Sequence, residues 1–417
     1  MSIGYACLNI GNNMKIKSLR LSDANEESII ETSRQNLNVL NRILEYNIEN
    51  NIKLFRISSD IIPLGSHEFN KVKWWKDLKT DLEYTGKKIR ENNIRVSVHP
   101  GQYTVLNSNN NEVVDKAIKD LIYHQRFLDS LGVGNESKII LHVGGMYGNK
   151  EEAIKRFINN YKILDDCIKK RLVIENDDKI FNANGVLRIH NEIGLPVVFD
   201  VLHDKANFSD SKYDTYDWIE IFSKTWGKED GKQKIHYSES KNEKEIRSHS
   251  NYIKAYSFME FYNNLDNKDI DIMLEVKDKN LSAVKCNNLT NNNLKITDLE
   301  KEWSKYKYYV LSKDANIYKE IRELLKYKEK PNVIKFYKLI EESLDKELLL
   351  GNDINAIQHM WGYLRDIAND EEKETYNKKI DRYKTLKNTN KPIKKYLLEL
   401  SEKYKADYLV NSIYFYI

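Results

Sequence analysis

Residues 138–145 read KIILHVGG, a short apolar run that delivers a histidine, His142, at its end. The same arrangement recurs along the chain. RVSVHP (95–100) ends at His99, RLVIEND (171–177) carries Glu175, and PVVFDVLHD (196–204) carries Asp200 and His203. KIHYSES (234–240) carries His236, and DIMLEVKD (271–278) carries Glu275. Several of these runs are β-branched and nearly continuous in apolar character, which suits parallel strands buried on both faces. A single strand ending in a polar group is ordinary. Six of them, each ending in an imidazole or a carboxylate, point to one ring of strands that empties its side chains into one site.

Two further strand-like runs, 3–9 (IGYACLN) and 54–59 (LFRISS), precede these, so eight are expected: 3–9, 54–59, 95–99, 138–143, 171–176, 196–202, 233–238 and 271–277. Between them, segments 25–50, 74–92, 113–131, 150–169, 182–193, 214–226 and 247–263 have apolar residues at helical spacing, the first with Ser22 and Asp23 as candidate caps. Eight strand–helix units in series predict an α/β fold, a (β/α)8 TIM barrel; an open doubly wound sheet is the alternative. In such barrels the site lies at the C-terminal ends of the strands, where the histidines and acids fall. After about residue 296 the strand-plus-ligand units stop. Residues 297–417 are rich in Lys, Glu, Leu and Tyr at helical periodicity, as in VIKFYKLIEESLDKELLL (333–350). The expected division is a barrel over 1–290 and an all-helical C-terminal extension over 297–417, of four to six helices.

With 417 residues and 41% hydrophobic content, the chain can build a barrel of about 250 residues and a smaller unit beside it. Charged residues reach 31%, but the net charge is only +4, so a polyanionic partner would have to meet a local patch. Cys7, Cys167 and Cys286 are far apart and form no Cys-x-x-Cys pair, which argues against a disulfide framework or a zinc ribbon. The first residues, MSIGYACLNIGNN, have no basic start followed by a long apolar stretch, so no signal peptide is expected. No run approaches the ~18 apolar residues of a membrane span. A cytoplasmic protein without a membrane partner is the expectation.

Imidazoles and carboxylates together suit Zn2+, Mn2+ or Fe2+, and this many donors exceed what one ion needs. Two or three divalent ions are expected. Such clusters serve phosphoester cleavage by polarising the phosphate, generating the nucleophile and stabilising the leaving oxygen. Taken singly, a strand-end histidine is more often a hydrogen-bonded core or surface group. Glu175 and Glu275 are harder to dismiss, because an unpaired buried carboxylate is costly. His124, His190 and His359 fall in helical runs and read as structural. His67, in PLGSH, and His249, in RSHSN, lie on the correct rim. Lys234 lies two residues before His236 in an apolar strand, pointing into the barrel or snorkelling at its surface. In HPGQYTVLNS (99–108), Gly101 permits a tight turn from which Gln102 and Tyr103 project, either as a wedge for a base stack or as a solvent-facing turn.

GYACLN, FRISSDIIPLGSH, VSVHPGQY, LHVGG, VIENDD, FDVLHD and KIHYSES, in this order, resemble the ultraviolet-damage endonuclease family over residues 1 to about 290. That family is related in barrel and metal site to nucleases of the endonuclease IV type. The resemblance implies that His99, His142, Glu175, Asp200, His203, His236, His249 and Glu275 are metal ligands, with Glu175 bridging two ions. It implies a carboxylated Lys234 at the metal site and His67 near the scissile phosphate. Gln102 and Tyr103 match the pair inserted into the duplex opposite the lesion, and Tyr5 and Asn9 would line the pocket near the damaged nucleotides. Glu175, Lys234 and His67 are thereby the expected catalytic groups. The implied activity is nicking of double-stranded DNA on the 5′ side of ultraviolet photoproducts and other distorting lesions, leaving 3′-hydroxyl and 5′-phosphate ends. Manganese leads as the metal, with zinc and magnesium as alternatives, no organic cofactor is implied, and a monomer is expected. Extruding an already poorly paired dimer costs less than extruding normal bases, and recognition by bending and wedging explains a broad lesion range. The tail segments NAIQHMWGYL and YLLELSEKYKADYLVNSIYF resemble a helical accessory domain of unknown role.

Three rivals are distinct: an abasic-site endonuclease with the same metals, a sugar isomerase or epimerase on a similar metal barrel, and a catalytically inert binder of distorted DNA. The projecting Gln102–Tyr103 loop favours a polymer over a small enclosed sugar.

Overall fold

The computed structural model describes residues 1–209, 212–327, 331–386 and 389–417. Eight parallel strands close into a barrel in chain order. They are β1 (Ser2–Ala6), β2 (Leu54–Ile57), β3 (Arg95–Val98), β4 (Lys138–His142), β5 (Leu172–Glu175), β6 (Val197–Asp200), β7 (Lys234–Tyr237) and β8 (Asp271–Leu274). β1 pairs with both β2 and β8, which closes the ring and excludes the open sheet. Most strands stop one to three residues before the apolar runs do. The reason is local: His99 and Glu275 leave the ladder just past β3 and β8, and the chain beyond Asp200 turns at once into the helix Val201–Ala206.

Long helices separate the strands, among them Glu26–Glu49, Lys79–Glu91, Asn111–Ser130 and Lys150–Lys162. The first is capped by Asn25, whose side chain accepts from the Ser28 N–H, and not by Ser22 or Asp23, which lie in a preceding 3-10 turn. The expected helix over 247–263 begins only at Ala255. Residues before it form a loop, pinned by a bridge between Ser240 and His249 and by the Ser250 N–H on the Glu239 carbonyl (2.8 Å). The run RSHSN has the helix-competing polar residues that favour such a loop.

The N-terminal side of the barrel is tied by buried cations. Arg171, just before β5, donates to the Asp129 carboxylate (2.8 Å) and to the carbonyls of Val133 (2.8 Å), Ser137 (3.1 Å) and Gly134. These bonds fix the start of β5 to the loop that enters β4.

The chain forms two compact units. The first comprises Met1–Asn9, Met14–Ile253 and Glu260–Asn287; the second comprises Ile10–Asn13, Lys254–Met259 and Asn288–Ile417. From Ile296 onward the described residues are mainly helical and include no strand, with six helices of ten residues or more between Ile296 and Lys403. The second unit packs Ile357, Met360, Leu364, Ile380 and Leu397 in its core. Its Asp353 is fully buried and accepts from the Tyr383 hydroxyl (2.7 Å), the Tyr414 hydroxyl (2.6 Å) and the Asn390 amide (2.9 Å). Among the described residues, no helix is long and apolar enough to cross a membrane.

Candidate metal centre

Strand register brings the candidate ligands to one level. His142 and Glu175 are the last residues of β4 and β5 and are register partners; Asp200, the last residue of β6, is the partner of His236 on β7. Side chains alternate between the two faces of a strand, so residues two positions earlier share the ligands' face. Ile140, Val173 and Val198 are those residues, and they pack together as an apolar floor beneath His142, Glu175 and Asp200.

Glu175 is fully buried at the middle of the cluster. Its Oε1 lies 2.8 Å from His236 Nδ1 and 3.5 Å from His203 Nδ1; its Oε2 lies 3.1 Å from His99 Nε2 and 3.8 Å from His142 Nε2. His236 Nδ1 is also 3.2 Å from Glu275 and 4.0 Å from Asp200. His249, carried in by the loop after β7, lies 3.6 Å from Glu275. Two groups have ligand atoms all within 4.8 Å of one another: His99, His142 and Glu175, and then Glu175, Asp200, His236 and Glu275. Glu175 belongs to both. The expected eight ligands therefore converge, and Glu175 has the position of a bridge.

Burial would raise the Glu175 carboxyl, but His236 and His142 lead the imidazoles that hold it well below the usual carboxylate range. Burial likewise acts upward on Glu275, and Arg56, which hydrogen-bonds it, leads the groups that draw it down. Asp200 is raised, first by burial and then by the neighbouring carboxylates Glu175 and Glu275. Burial pushes His142 down to about 4, which keeps it in the neutral, ligating form. Against burial, Asp200, Glu175 and Glu275 push His203 up to about 9.

The donor set fits divalent cations. Three carboxylates are packed together with Arg56 as the guanidinium beside them. Asp200 Oδ2, His236 Nε2 and His142 Nδ1 are buried and hydrogen-bonded to nothing among the described residues. Buried polar atoms are rarely left so without a ligand.

Several supporting residues had escaped the sequence reading. Asn176 accepts from the Asp200 N–H (2.8 Å) and donates its amide to the Asp200 carbonyl (3.0 Å), while its own carbonyl meets His203 Nδ1 (2.9 Å). Ser59 donates to the His99 carbonyl (2.8 Å) and meets His124 Nε2 (3.0 Å). His124, read as structural, thus stands two hydrogen bonds from a candidate ligand. Such outer partners orient ligands and tune their basicity. Ser238 does the same for His249 Nδ1 (2.9 Å).

The remaining expected residues are dispersed. Lys234 shares the inward face of β7, one layer below His236. It is fully buried, and its nitrogen has no hydrogen-bond partner among the described residues. Burial, and then Arg95, push its ammonium well below the usual lysine range. His67 sits exposed in the turn after β2, where its Nδ1 accepts from the Phe69 N–H (3.1 Å), and it makes no contact with the cluster among the described residues. It lines a separate cavity with Trp75, Lys119 and Arg126.

Gln102 and Tyr103 do project, Tyr103 with 82% exposure, and they wall a cavity of about 680 Å³ that reaches His142 and His203. The turn does not use the freedom of Gly101, whose φ is outside the left-handed region and whose Cβ position is open. Tyr5 departs from the expected lining role. Strand alternation turns Ala6 inward and Tyr5 outward, where its buried hydroxyl donates to Asn47 (2.8 Å) and accepts from Asn9 (2.8 Å). Tyr5 has no exposed surface, so it reaches a substrate only by holding Asn9.

The family described as UV-endonuclease UvdE matches residues 1–307. This chain belongs to that family. The UV DNA damage endonuclease of Clostridium perfringens (strain 13 / Type A) is 44% identical over 364 residues, 86% of each chain. The UV DNA damage endonuclease of Bacillus cereus (strain G9842) is 37% identical over 262 residues, 62% of this chain and 81% of the relative. Among solved structures, the crystal structure of SacUVDE superposes with a TM-score of 0.65 at 42% identity, covering 69% of this chain and 96% of that one. Residues 307–417, from the end of the UvdE match onward, match a family of proteins of unknown function (DUF1722).

Proposed function

We propose that this UV DNA damage endonuclease is metal-dependent and incises the backbone 5′ of photoproducts and other distorting lesions in double-stranded DNA, leaving 3′-hydroxyl and 5′-phosphate ends. The observation that carries this reading is the convergence of Glu175, Asp200 and Glu275 with the imidazoles at the mouth of a UvdE-family barrel. His99, His142, Glu175, Asp200, His203, His236, His249 and Glu275 hold two or three divalent ions, manganese ahead of zinc and magnesium. Bound there, these ions supply the Lewis acidity and charge neutralisation that phosphoester cleavage needs. Glu175 bridges the two ligand groups, and Asn176 keeps Asp200 and His203 oriented toward it. Lys234 acts as a carboxylated, anionic group; its buried and unpartnered nitrogen is the support for this. His67 acts at the scissile phosphate, which requires the turn after β2 to meet the DNA.

Gln102 and Tyr103 wedge into the stack opposite the lesion, and Asn9, held by Tyr5, serves the pocket for the displaced nucleotides. The exposure of Tyr103 supports this, since a ring left in solvent is available to a base. The chemistry belongs to residues 1–290, with 297–417 as an accessory module. The enzyme acts as a monomer in the cytoplasm on damaged DNA, without an organic cofactor.

The test is nicking of three duplexes of one sequence, with a pyrimidine dimer, with an abasic site and intact, and mapping of the ends. Incision 5′ of the dimer with the stated ends is expected. Cleavage at the abasic site alone would replace this reading with that of an abasic-site nuclease.

A further inference from the structure

On the side of the centre formed by Arg56, His249 and Glu275, a cavity of about 500 Å³ opens between the loops after β7 and β8. Lys241, Lys277 and Lys279 also line it. Most of its cations are engaged. Arg56 is paired with Glu275, Lys241 lies 2.6 Å from Glu245, and Lys277 reaches the Asn251 amide oxygen (3.4 Å). The ammonium of Lys279 makes no hydrogen bond or ion pair among the described residues. It is only partly exposed, and burial pushes its ammonium downward from the usual lysine value. Its backbone is in the left-handed region, at φ 51°, which costs a side chain other than glycine conformational energy. A half-buried cation that feels Glu275 and Asp278 only at a distance, on a strained backbone and beside a cluster that fits phosphoester chemistry, is open to further stabilisation by an anion that arrives from outside.

We propose that Lys279 is a positioning residue that grips a backbone phosphate of the DNA strand lying in this cavity, next to the phosphate that is cut. This rests on the endonuclease reading and deepens it: it names one phosphate contact and the side of the centre on which the strand runs. Lys277 and Lys241 extend the cationic wall, which with Arg56 and Lys279 outweighs the Glu245 and Glu275 carboxylates that also line this cavity, whereas the cavity beside Tyr103 balances Lys116 and Lys179 against Asp177 and Asp178. The lysine side therefore suits the sugar–phosphate backbone, and the aromatic side suits bases.

The test compares wild type, Lys279→Gln and Lys279→Arg for binding to a dimer-containing and an intact duplex, with chelator present and from 50 to 200 mM salt. Nicking with manganese is followed in parallel. One lost phosphate contact lowers the slope of log affinity against log salt by about 1. The advantage of wild type over Lys279→Gln should then shrink about threefold across this salt range, equally on both duplexes, and KM should rise more than kcat falls. Lys279→Arg should retain the wild-type slope. Unchanged affinity and slope in a folded Lys279→Gln protein would overturn the proposal, as would a slope lowered equally by Lys279→Arg. The endonuclease reading fails separately: wild type would leave the dimer duplex uncut while the slope difference persists.

Discussion

Glu175 lies between 2.8 and 3.8 Å from four imidazoles contributed by different parts of the barrel mouth. Among the described residues no other acid joins both ligand groups, so its loss should uncouple them. Glu175→Ala is expected to lower nicking about a thousandfold or more, since several kcal/mol of transition-state stabilisation are at stake and each decade is about 1.4 kcal/mol. Binding of damaged duplex should persist, which a gel-shift titration beside the rate measurement will check. Asn176 acts one step further out, by orienting Asp200 and His203. Asn176→Ala should cost about 10–100-fold in metal affinity or activity, read from nicking against manganese concentration, with part of the loss recovered at high manganese. The candidate ligands His99, His142, Glu175, Asp200, His203, His236 and Glu275 were legible in the sequence because residue type and strand-end position coincide, whereas His249 lies in a loop and entered the ligand set through the family resemblance. Asn176, Ser59 and His124 were not legible, because their roles are hydrogen bonds across distant segments and leave no periodic trace. Arg56 had a signal, a charge inside the apolar run LFRISS, of the same kind that singled out Lys234.

At the scale of elements, the strands were legible and the loops were not. Continuous apolar runs of four or five residues have few alternatives to a buried parallel strand, and all eight appeared. The loop that carries His249 was read as helix, because neighbouring residues continue the helical spacing while RSHSN breaks it only through side-chain competition for the backbone. Tyr5 fell on the outer face of β1 for the reason that alternation along a strand is strict and a single aromatic does not reveal its parity. The ends of the strands also divide the work: ligands at one end, structural cations such as Arg171 at the other. Arg171→Ala would remove the guanidinium from three carbonyls and the Asp129 carboxylate, of which Gly134 keeps the Ser137 N–H and Asp129 keeps the Gln125 amide. It should lower stability by about 3 kcal/mol, measured by denaturant unfolding, while the nicking rate of the folded fraction stays at the wild-type value.

For the whole molecule, the barrel is a scaffold that gathers like charges, and under the proposed metal-dependent reading bound cations would reconcile three clustered carboxylates with burial. Ions that bind only the folded state add about 2.7 kcal/mol at a hundred times their dissociation constant. Chelation should therefore lower the melting temperature of the barrel unit by roughly 5–10 °C, whereas an inert barrel would melt alike with and without chelator. The helical unit carries its own anchor, Asp353 under three donors, and it matches a family of unknown function. In the proposed reading, Glu175 organises a single metal centre from both ligand groups. Anomalous diffraction at the manganese edge from manganese-soaked crystals tests it most directly. The account predicts two or three peaks among His99, His142, Glu175, Asp200, His203, His236, His249 and Glu275, with Glu175 within coordination distance of two of them. Peaks elsewhere, or a lone peak that Glu175 does not touch, would contradict it.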